Sequence, residues 1–306
     1  MNAETKPRIG FIGLGLMGHG IAKNIVTKGY SLTVRAHRNR KPLEDLLAAG
    51  AKEVSTNADI ARESDIVFLC VTGTPQVESI VYGHDGLLAA AREGMIVVDT
   101  STAEPASTAA IRMDFGAKRT QFVDAPLART PVEAEQGRLN TMVGADAAVF
   151  AKLKPVLSAF CENIFHAGPP GHGHTLKLIN NFIAQAIATA TAEACATAVK
   201  SGLSLKKLHE VISAGAVNSG IFQMMVGKML EGNGDLTGLK FTLVNAMKDL
   251  RYYTHLAESL PVPCIVGEAV HQSLVIANLL GFGDKYVPSL IEAHEKLAGV
   301  AIVPRA

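Results

Sequence analysis

Two stretches of this sequence carry residue types at spacings that suit chemistry. Gly13-Leu14-Gly15-Leu16-Met17-Gly18 follows the short apolar run Arg8-Ile9-Gly10-Phe11-Ile12 and precedes a helical pattern from Ile21 to Lys28. A strand, this glycine spacing and a helix, in that order, suit a dinucleotide. Gly13 permits the tight turn, Gly15 lets backbone approach a pyrophosphate, and Gly18 allows close helix-strand packing, while the helix N-terminus supplies N–H donors and positive potential. Leu16 and Met17 belong to the same loop. The second stretch, Gly171-His172-Gly173-His174-Thr175-Leu176-Lys177-Leu178-Ile179-Asn180-Asn181, opens the longest helical pattern in the chain. Lys177 and Asn181 stand four apart and so share a helical face. A lysine beside an amide, behind two glycines, is poised to face a cleft, where desolvation would bring it toward the working range of an acid or base.

The choice between NAD and NADP is read about 20 residues past the first glycine, where an NAD site presents Asp or Glu to the ribose 2′-hydroxyl. No Asp or Glu occurs from Leu14 to Leu43, and the segment after the second strand reads Arg35-Ala36-His37-Arg38-Asn39-Arg40-Lys41. Arg38 and Arg40, with Asn39 between them, suit a 2′-phosphate through charge-assisted bonds, which favours NADP and leaves NAD possible. The alternative is a solvated basic loop. Two hydroxyl-rich segments, Val71-Thr72-Gly73-Thr74-Pro75 and Asp99-Thr100-Ser101-Thr102, follow expected strands, where a doubly wound sheet places its ligand. Val71, Thr72 and Thr102 are read as cofactor neighbours and Ser101 as a substrate or ribose contact; Thr72 or Thr74 capping a helix is the other reading.

These groups need a scaffold. Short apolar runs at Arg8 to Gly13, Leu32 to Val34, Asp65 to Val71, Met95 to Asp99 and Gln121 to Val123 alternate with helical patterns, the rhythm of a parallel sheet covered on both faces. Past residue 170 the strand signals fade. Thr175 to Lys200 reads as one Ala-rich helix stopped by Ser201-Gly202, Ser204 as the N-cap of the next, and Pro261 and Pro263 as breaks between two later ones. The expected organisation is α/β: a Rossmann domain over 1–170, then an all-α domain over 171–306 that includes a linking helix at about 171–201.

Composition narrows the partners. With 306 residues, 48% apolar and 19% charged, the chain can build two real cores, so disorder is not expected. A net charge of +1 gives no field for nucleic acid or an anionic membrane. Cys70, Cys161, Cys195 and Cys264 form no C-x-x-C pair and suit free thiols in a reducing compartment. The polar Met1 to Arg8 and the glycine-broken run after it are neither signal peptide nor membrane anchor, so a cytoplasmic location is expected. His172 and His174 lack further ligand spacing, and no metal is called for.

Five ordered motifs, Phe11 to Gly18, Val98-Asp99-Thr100-Ser101-Thr102, Asp124-Ala125-Pro126, Gly171-x-Gly173-x-x-x-Lys177-x-x-x-Asn181 and Lys248-Asp249, resemble the β-hydroxyacid dehydrogenase family of 3-hydroxyisobutyrate dehydrogenases and tartronate semialdehyde reductases. The resemblance runs nearly end to end. It implies a Rossmann domain joined by a long helix to a helical domain, assembled as a homodimer or homotetramer. It also implies Lys177 as the catalytic acid or base, Asn181 as its orienting neighbour, Ser101 near substrate and Lys248 near the nicotinamide. For Lys248 an exposed helix lysine is the other reading.

One departure bears on the substrate. Where the family continues Asp-Ala-Pro with a Val-Ser-Gly-Gly loop for the substrate carboxylate, this chain has Leu127-Ala128-Arg129-Thr130. Arg129 brings a guanidinium that grips a carboxylate, sulfonate or phosphate, and the Arg-Thr pair is similar to sulfolactaldehyde reductases, which are associated with NAD and an acid after the second strand that this chain lacks. A structural loop arginine is the alternative. The expected reaction is hydride transfer between NADP(H) and a short anionic aldehyde or 3-hydroxy acid. An imine reductase-like enzyme and a non-catalytic nucleotide-binding relative are the rival readings; Lys177 argues against the first, and Lys177 with Asn181 against the second.

Overall fold

The protein is described here by a computed structural model covering residues 6–35 and 39–305. The chain divides into two compact units, Met1–Lys177 and Leu178–Ala306.

The first unit is built on strands β1 (Ile9–Ile12), β2 (Leu32–Val34), β3 (Lys52–Glu53), β4 (Ile66–Leu69), β5 (Ile96–Asp99), β6 (Gln121–Asp124), β7 (Leu127–Ala128), β8 (Leu139–Gly144) and β9 (Cys161–Gly168). Between them run helices α1 (Gly18–Thr27), α2 (Lys41–Ala48), α3 (Asn57–Glu63), α4 (Thr74–Tyr82), α5 (Pro105–Gly116), α6 (Pro131–Glu135) and α7 (Ala147–Leu157). Sheet order is β3-β2-β1-β4-β5-β6-β8-β7, with β9 beside β8. The first six strands are parallel in the Rossmann order, and β8 runs antiparallel to both β6 and β7.

Period-two alternation explains the burial of the central strands on both faces. Ile9 and Phe11, Ile66 and Phe68, and Ile96 and Val98 enter one core, while Ile12, Val67, Leu69 and Val97 enter the other. Phe68 is stacked on Phe11 at 6.3 Å between centroids and meets Phe160 edge-on at 5.7 Å. On the opposite face Phe115 stacks on Phe122. The five expected strands are all present, but β3, β7, β8 and β9 are additions. β9 is half-exposed and carries Glu162, Asn163 and His166, so it has no apolar run to reveal it.

The helix α8 (His172–Lys200) begins in the first unit and continues into the second. The second unit contains the rest of α8, α9 (Leu205–Ala214), α10 (Gly220–Phe222), α11 (Lys228–Glu231), α12 (Leu243–Ser259), α13 (Ile265–Ala277) and α14 (Leu290–Ala298). Small residues of α8, Ala188, Ala192, Cys195 and Ala196, pack in its core with Met225, Leu250, Leu274 and Leu290. Ser204 caps α9 by accepting from Lys207 N at 3.2 Å, and Pro261 and Pro263 lie between α12 and α13. By length and composition alone, His172–Lys200 and Ile265–Phe282 are apolar enough to cross a membrane, and each contributes buried residues to this core.

In the turn from β7 to α6, Arg129 has φ +82°, a left-handed conformation that disfavours any side chain with a Cβ. Thr130 fixes the exit by a capping box with Glu133. Arg129→Ala and Arg129→Gly remove the same guanidinium, yet the glycine variant should be the more stable by about 1 kcal/mol, because only alanine retains the backbone penalty. Denaturant unfolding of the two variants checks this, and equal midpoints would show that the turn stores no strain.

Candidate active site

The glycine loop leaves β1 at Gly13, whose φ is +105° and where a Cβ would lie 2.2 Å from the Cys70 carbonyl oxygen. A Cβ on Gly18 would lie 1.8 Å from the Gly13 carbonyl oxygen, so the first turn of α1 closes directly onto the loop. At Gly15 nothing stands within 4 Å, leaving the open face that a phosphate needs. Met17, at the N-cap of α1, makes no side-chain capping bond, and Leu16 is 79% exposed beside it. A tight turn, an open glycine and a helix start without a side-chain cap fit a dinucleotide pyrophosphate.

The basic segment after β2 is more engaged than its sequence indicates. Arg38 lies outside the described residues. Arg40 donates to both carboxylate oxygens of Glu53, at 3.0 and 3.1 Å, and Asn39 Oδ1 accepts from Lys41 N at 3.1 Å. The absence of acids between Leu14 and Leu43 therefore does not leave Arg40 without one, because β3 brings Glu53 from farther along the chain. This bond holds the Glu53 carboxyl below its ordinary value. Arg35, the first residue past β2, donates to Asn57 Oδ1 at 2.9 Å and lies 3.3 Å from Asp85 Oδ2.

The carboxyl ends of β4 and β5 are stitched together. Ser101 Oγ accepts from Val71 N at 3.0 Å, Ser101 N donates to Asp99 Oδ1 at 2.9 Å, and Thr100 Oγ1 donates to Leu69 O at 2.6 Å. Ser101 is 2% exposed, so its hydroxyl first serves this stitch, while Thr72 is exposed and Thr102 half-buried. Thr74 Oγ1 accepts from Glu104 N, and α4 has Gly73 at its N-cap with no side-chain bond, so neither threonine caps α4.

At the neighbouring strand end, fully buried Asp124 receives the start of α8. Its Oδ1 accepts from Gly171 N at 2.7 Å and its Oδ2 from His174 N at 2.8 Å. Two charge-assisted bonds and the positive end of the helix compensate this buried carboxylate. Lys177 follows one turn later and is half-buried. His174 is also fully buried, with its Nδ1 2.8 Å from Thr108 Oγ1 and its Nε2 3.7 Å from Asp99 Oδ2. Burial pushes the Asp99 carboxyl above its ordinary value, and nearby Asp124 adds to the rise, while His174 and Ser101 oppose it.

Arg129 is not an open guanidinium. Its Nη1 donates to the Arg138 carbonyl oxygen and to Glu162 Oε2 on β9, and the side chain is 30% exposed. Thr130 is likewise occupied, donating to Glu133 while accepting from Val132 N at 3.3 Å. The spacing of the loop gave no sign of Glu162, which is distant in the chain.

In the second unit, Asn181 Nδ2 donates to Asp249 Oδ2 at 2.6 Å, and Lys248 Nζ lies 2.7 Å from Asp249 Oδ1 and 4.7 Å from the Tyr252 ring centroid. Lys248 is therefore not an exposed helix lysine; its side chain is 21% exposed and held by Asp249. Asp249 is the organising residue there, although in the sequence it stands out only as part of the Lys248-Asp249 motif. Asp124, Asp99 and His174 were similarly missing from the expected site. Their available signal was a polar residue at each predicted strand end and a histidine one helical turn before the lysine.

Residues 8–168 match the family model described as the NAD binding domain of 6-phosphogluconate dehydrogenase, and residues 171–293 match the NAD-binding region of NADP-dependent 3-hydroxyisobutyrate dehydrogenase. The chain is 31% identical to 2-(hydroxymethyl)glutarate dehydrogenase of Eubacterium barkeri over 98% of both chains. It is 32% identical to 2-hydroxy-3-oxopropionate reductase of Escherichia coli, covering 83% of this chain and 85% of the relative. A solved 3-hydroxyisobutyrate dehydrogenase from Salmonella typhimurium superposes with a TM-score of 0.80 at 27% identity, covering 94% of this chain and 99% of that one. With its Rossmann strand order, its glycine cradle and these matches spanning both units, the chain belongs to the β-hydroxyacid dehydrogenase family and is an NAD(P)-dependent oxidoreductase.

Proposed function

We propose that this protein interconverts a short anionic aldehyde and the corresponding 3-hydroxy acid, prefers NADP(H), and uses Lys177 as its proton-transfer group. The observation that carries the proposal is the seat of α8. Asp124 fixes the opening turn of the Lys177 helix at the end of β6, on the same carboxyl edge of the sheet as the glycine loop and the β4 and β5 ends. Bound at the glycine cradle, the nicotinamide cofactor would supply or accept the hydride.

The chain's own residues account for the rest. Lys177 gives a proton to the carbonyl oxygen during reduction and takes it from the hydroxyl during oxidation. Asn181, four residues on along α8, orients the ammonium group. Arg129, Thr130 and Ser101 are assigned to the anionic end of the substrate. Arg129 already faces Glu162, so the incoming anion takes the place of that carboxylate on the guanidinium. Two relatives named for acidic compounds, a hydroxymethylglutarate and a hydroxy-oxopropionate, support an anionic substrate. Preference for NADP rests on Arg40, which is exposed at the β2 end and held in place by Glu53, and on the acid-free segment around it.

The exposed apolar residues Ile179 and Ile183 on α8 and Ile265, Val266 and Leu279 in the second unit support assembly with a second copy of the chain. In solution the protein is expected to be a dimer or larger, and a monomer by light scattering would reject that assignment.

Lys177→Ala should abolish turnover while leaving NADPH binding by fluorescence intact; retained turnover would remove Lys177 from the mechanism. NADPH should give the higher kcat/KM, and an equal or better value with NADH would overturn the reading of the Arg40 segment. In a panel of short aldehydes bearing carboxylate, sulfonate, phosphate or no charge, Arg129→Gly should raise KM for the anions by about tenfold or more. The neutral aldehyde should be little affected, and equal loss on all four would make Arg129 purely structural.

A further inference from the structure

The buried Asp99–His174 contact is used by none of the chemistry above. His174 is 0% exposed and sits on the opening turn of α8, three residues before Lys177; Asp99 is 0% exposed and ends β5. Thr108, on α5, donates its hydroxyl hydrogen to the Glu104 carbonyl oxygen at 3.1 Å, the usual back-bond of a helical threonine to the residue four before it. Its oxygen is then an acceptor toward His174 Nδ1 at 2.8 Å, so the imidazole carries a hydrogen on Nδ1.

That assignment fixes what faces Asp99. His174 Nε2 and Asp99 Oδ2 lie 3.7 Å apart, and neither atom has a hydrogen-bond partner. With no proton between them, two lone pairs would face each other in a dry interior, and a carboxylate bonded only at Oδ1, by Ser101 N, would be buried near Asp124. A single additional proton resolves this, as carboxylate with imidazolium or as carboxylic acid with imidazole, and either form leaves the pair neutral. Asp124 does not compete for that proton, since its two oxygens are already bonded to backbone N–H groups of the α8 start.

We infer that the Asp99–His174 pair carries one additional proton, on one partner or the other across its 3.7 Å contact, and acts as a positioning pair, locking the opening turn of the Lys177 helix to the β5 end and to α5. Asp99 Oδ1 also holds Ser101 N, whose own hydroxyl holds Val71 N, so the 3.7 Å contact and these two hydrogen bonds link the α8 opening to the cofactor edge of the sheet. The lock itself stands independently of catalysis, but its effect on turnover rests on the assignment of Lys177 above.

The test uses the full chain with ring-15N-labelled histidine, His174→Gln serving to identify the His174 signals. At pH 7.5 the resting protein should show Nδ1 protonated and an Nε2 signal that Asp99→Asn alters. A ring protonated on Nε2 with Nδ1 bare would overturn the additional proton whatever Lys177 does. In kinetics, Asp99→Ala and His174→Ala should each lower kcat by about 10- to 100-fold with little change in KM for NADPH, as expected for a misplaced catalytic group. The double variant should be no worse than either single one, and Asp99→Asn, which keeps a hydrogen to offer Nε2, should recover part of the loss. Additive losses, or kcat unchanged in both single variants, would overturn the positioning role. If Lys177→Ala proved active while the 15N signals showed the additional proton, the catalytic role of Lys177 would fall and the lock would stand.

Discussion

A buried carboxylate bonded to the first turn of a helix sets the geometry of the active-site edge. Asp124 has no exposed surface, and the start of α8 offers two N–H groups to its two oxygens. Room for this arrangement comes from glycine. A Cβ at Gly144 would lie 2.6 Å from Asp124 Oδ1, and one at Gly173 would lie 2.4 Å from the Met142 carbonyl oxygen and 2.7 Å from that of Asp124. The glycines ahead of Lys177 therefore bring α8 into contact with the sheet itself. The placement of Lys177 in the first unit follows from that contact.

A second support joins the cofactor helix to the Arg129 turn. Asn24 Nδ2 on α1 donates to the Ala134 and Glu135 carbonyl oxygens at the end of α6, and Gly20 lets the α6 backbone approach closely enough that a Cβ there would lie 2.6 Å from the Ala134 carbonyl carbon. His19 Nδ1, one residue past Gly18, lies 2.6 Å from Glu135 Oε1. α6 starts immediately after Arg129 and Thr130, so the turn assigned to the substrate anion is mounted on α1, the helix that follows the glycine loop. The strained φ of Arg129 is tolerated because both flanks of the turn are fixed, by pairing of β7 with β8 on one side and by the Thr130 capping box on the other.

Three of the cations assigned to the site are paired with a carboxylate, which for Arg40 and Arg129 comes from farther along the chain and for Lys248 is its neighbour Asp249. Glu53 holds Arg40, Glu162 holds Arg129, and Asp249 holds both Lys248 and Asn181. Such pairing fixes a long side chain at the cost of making its charge less available, so an anionic ligand would have to exchange partners with the protein rather than meet a bare cation.

Sequence alone determined the elements that depend on local pattern. The glycine turn, the parallel strands that end at Ile12, Val34, Leu69, Asp99 and Asp124, the long helix bearing Lys177 and Asn181, and the Ser204 cap all follow from period, spacing and capping chemistry that neighbouring residues impose on one another. It did not reveal β9, whose half-exposed polar strand has no apolar run, or the pairing of Arg40 and Arg129. Nor did it reveal that His174, a weak metal-ligand candidate by its spacing, is enclosed with Asp99. Those features were decided only by the tertiary structure, because each depends on residues far apart in the chain meeting at strand ends, where burial makes an unpaired charge costly and so selects its partner.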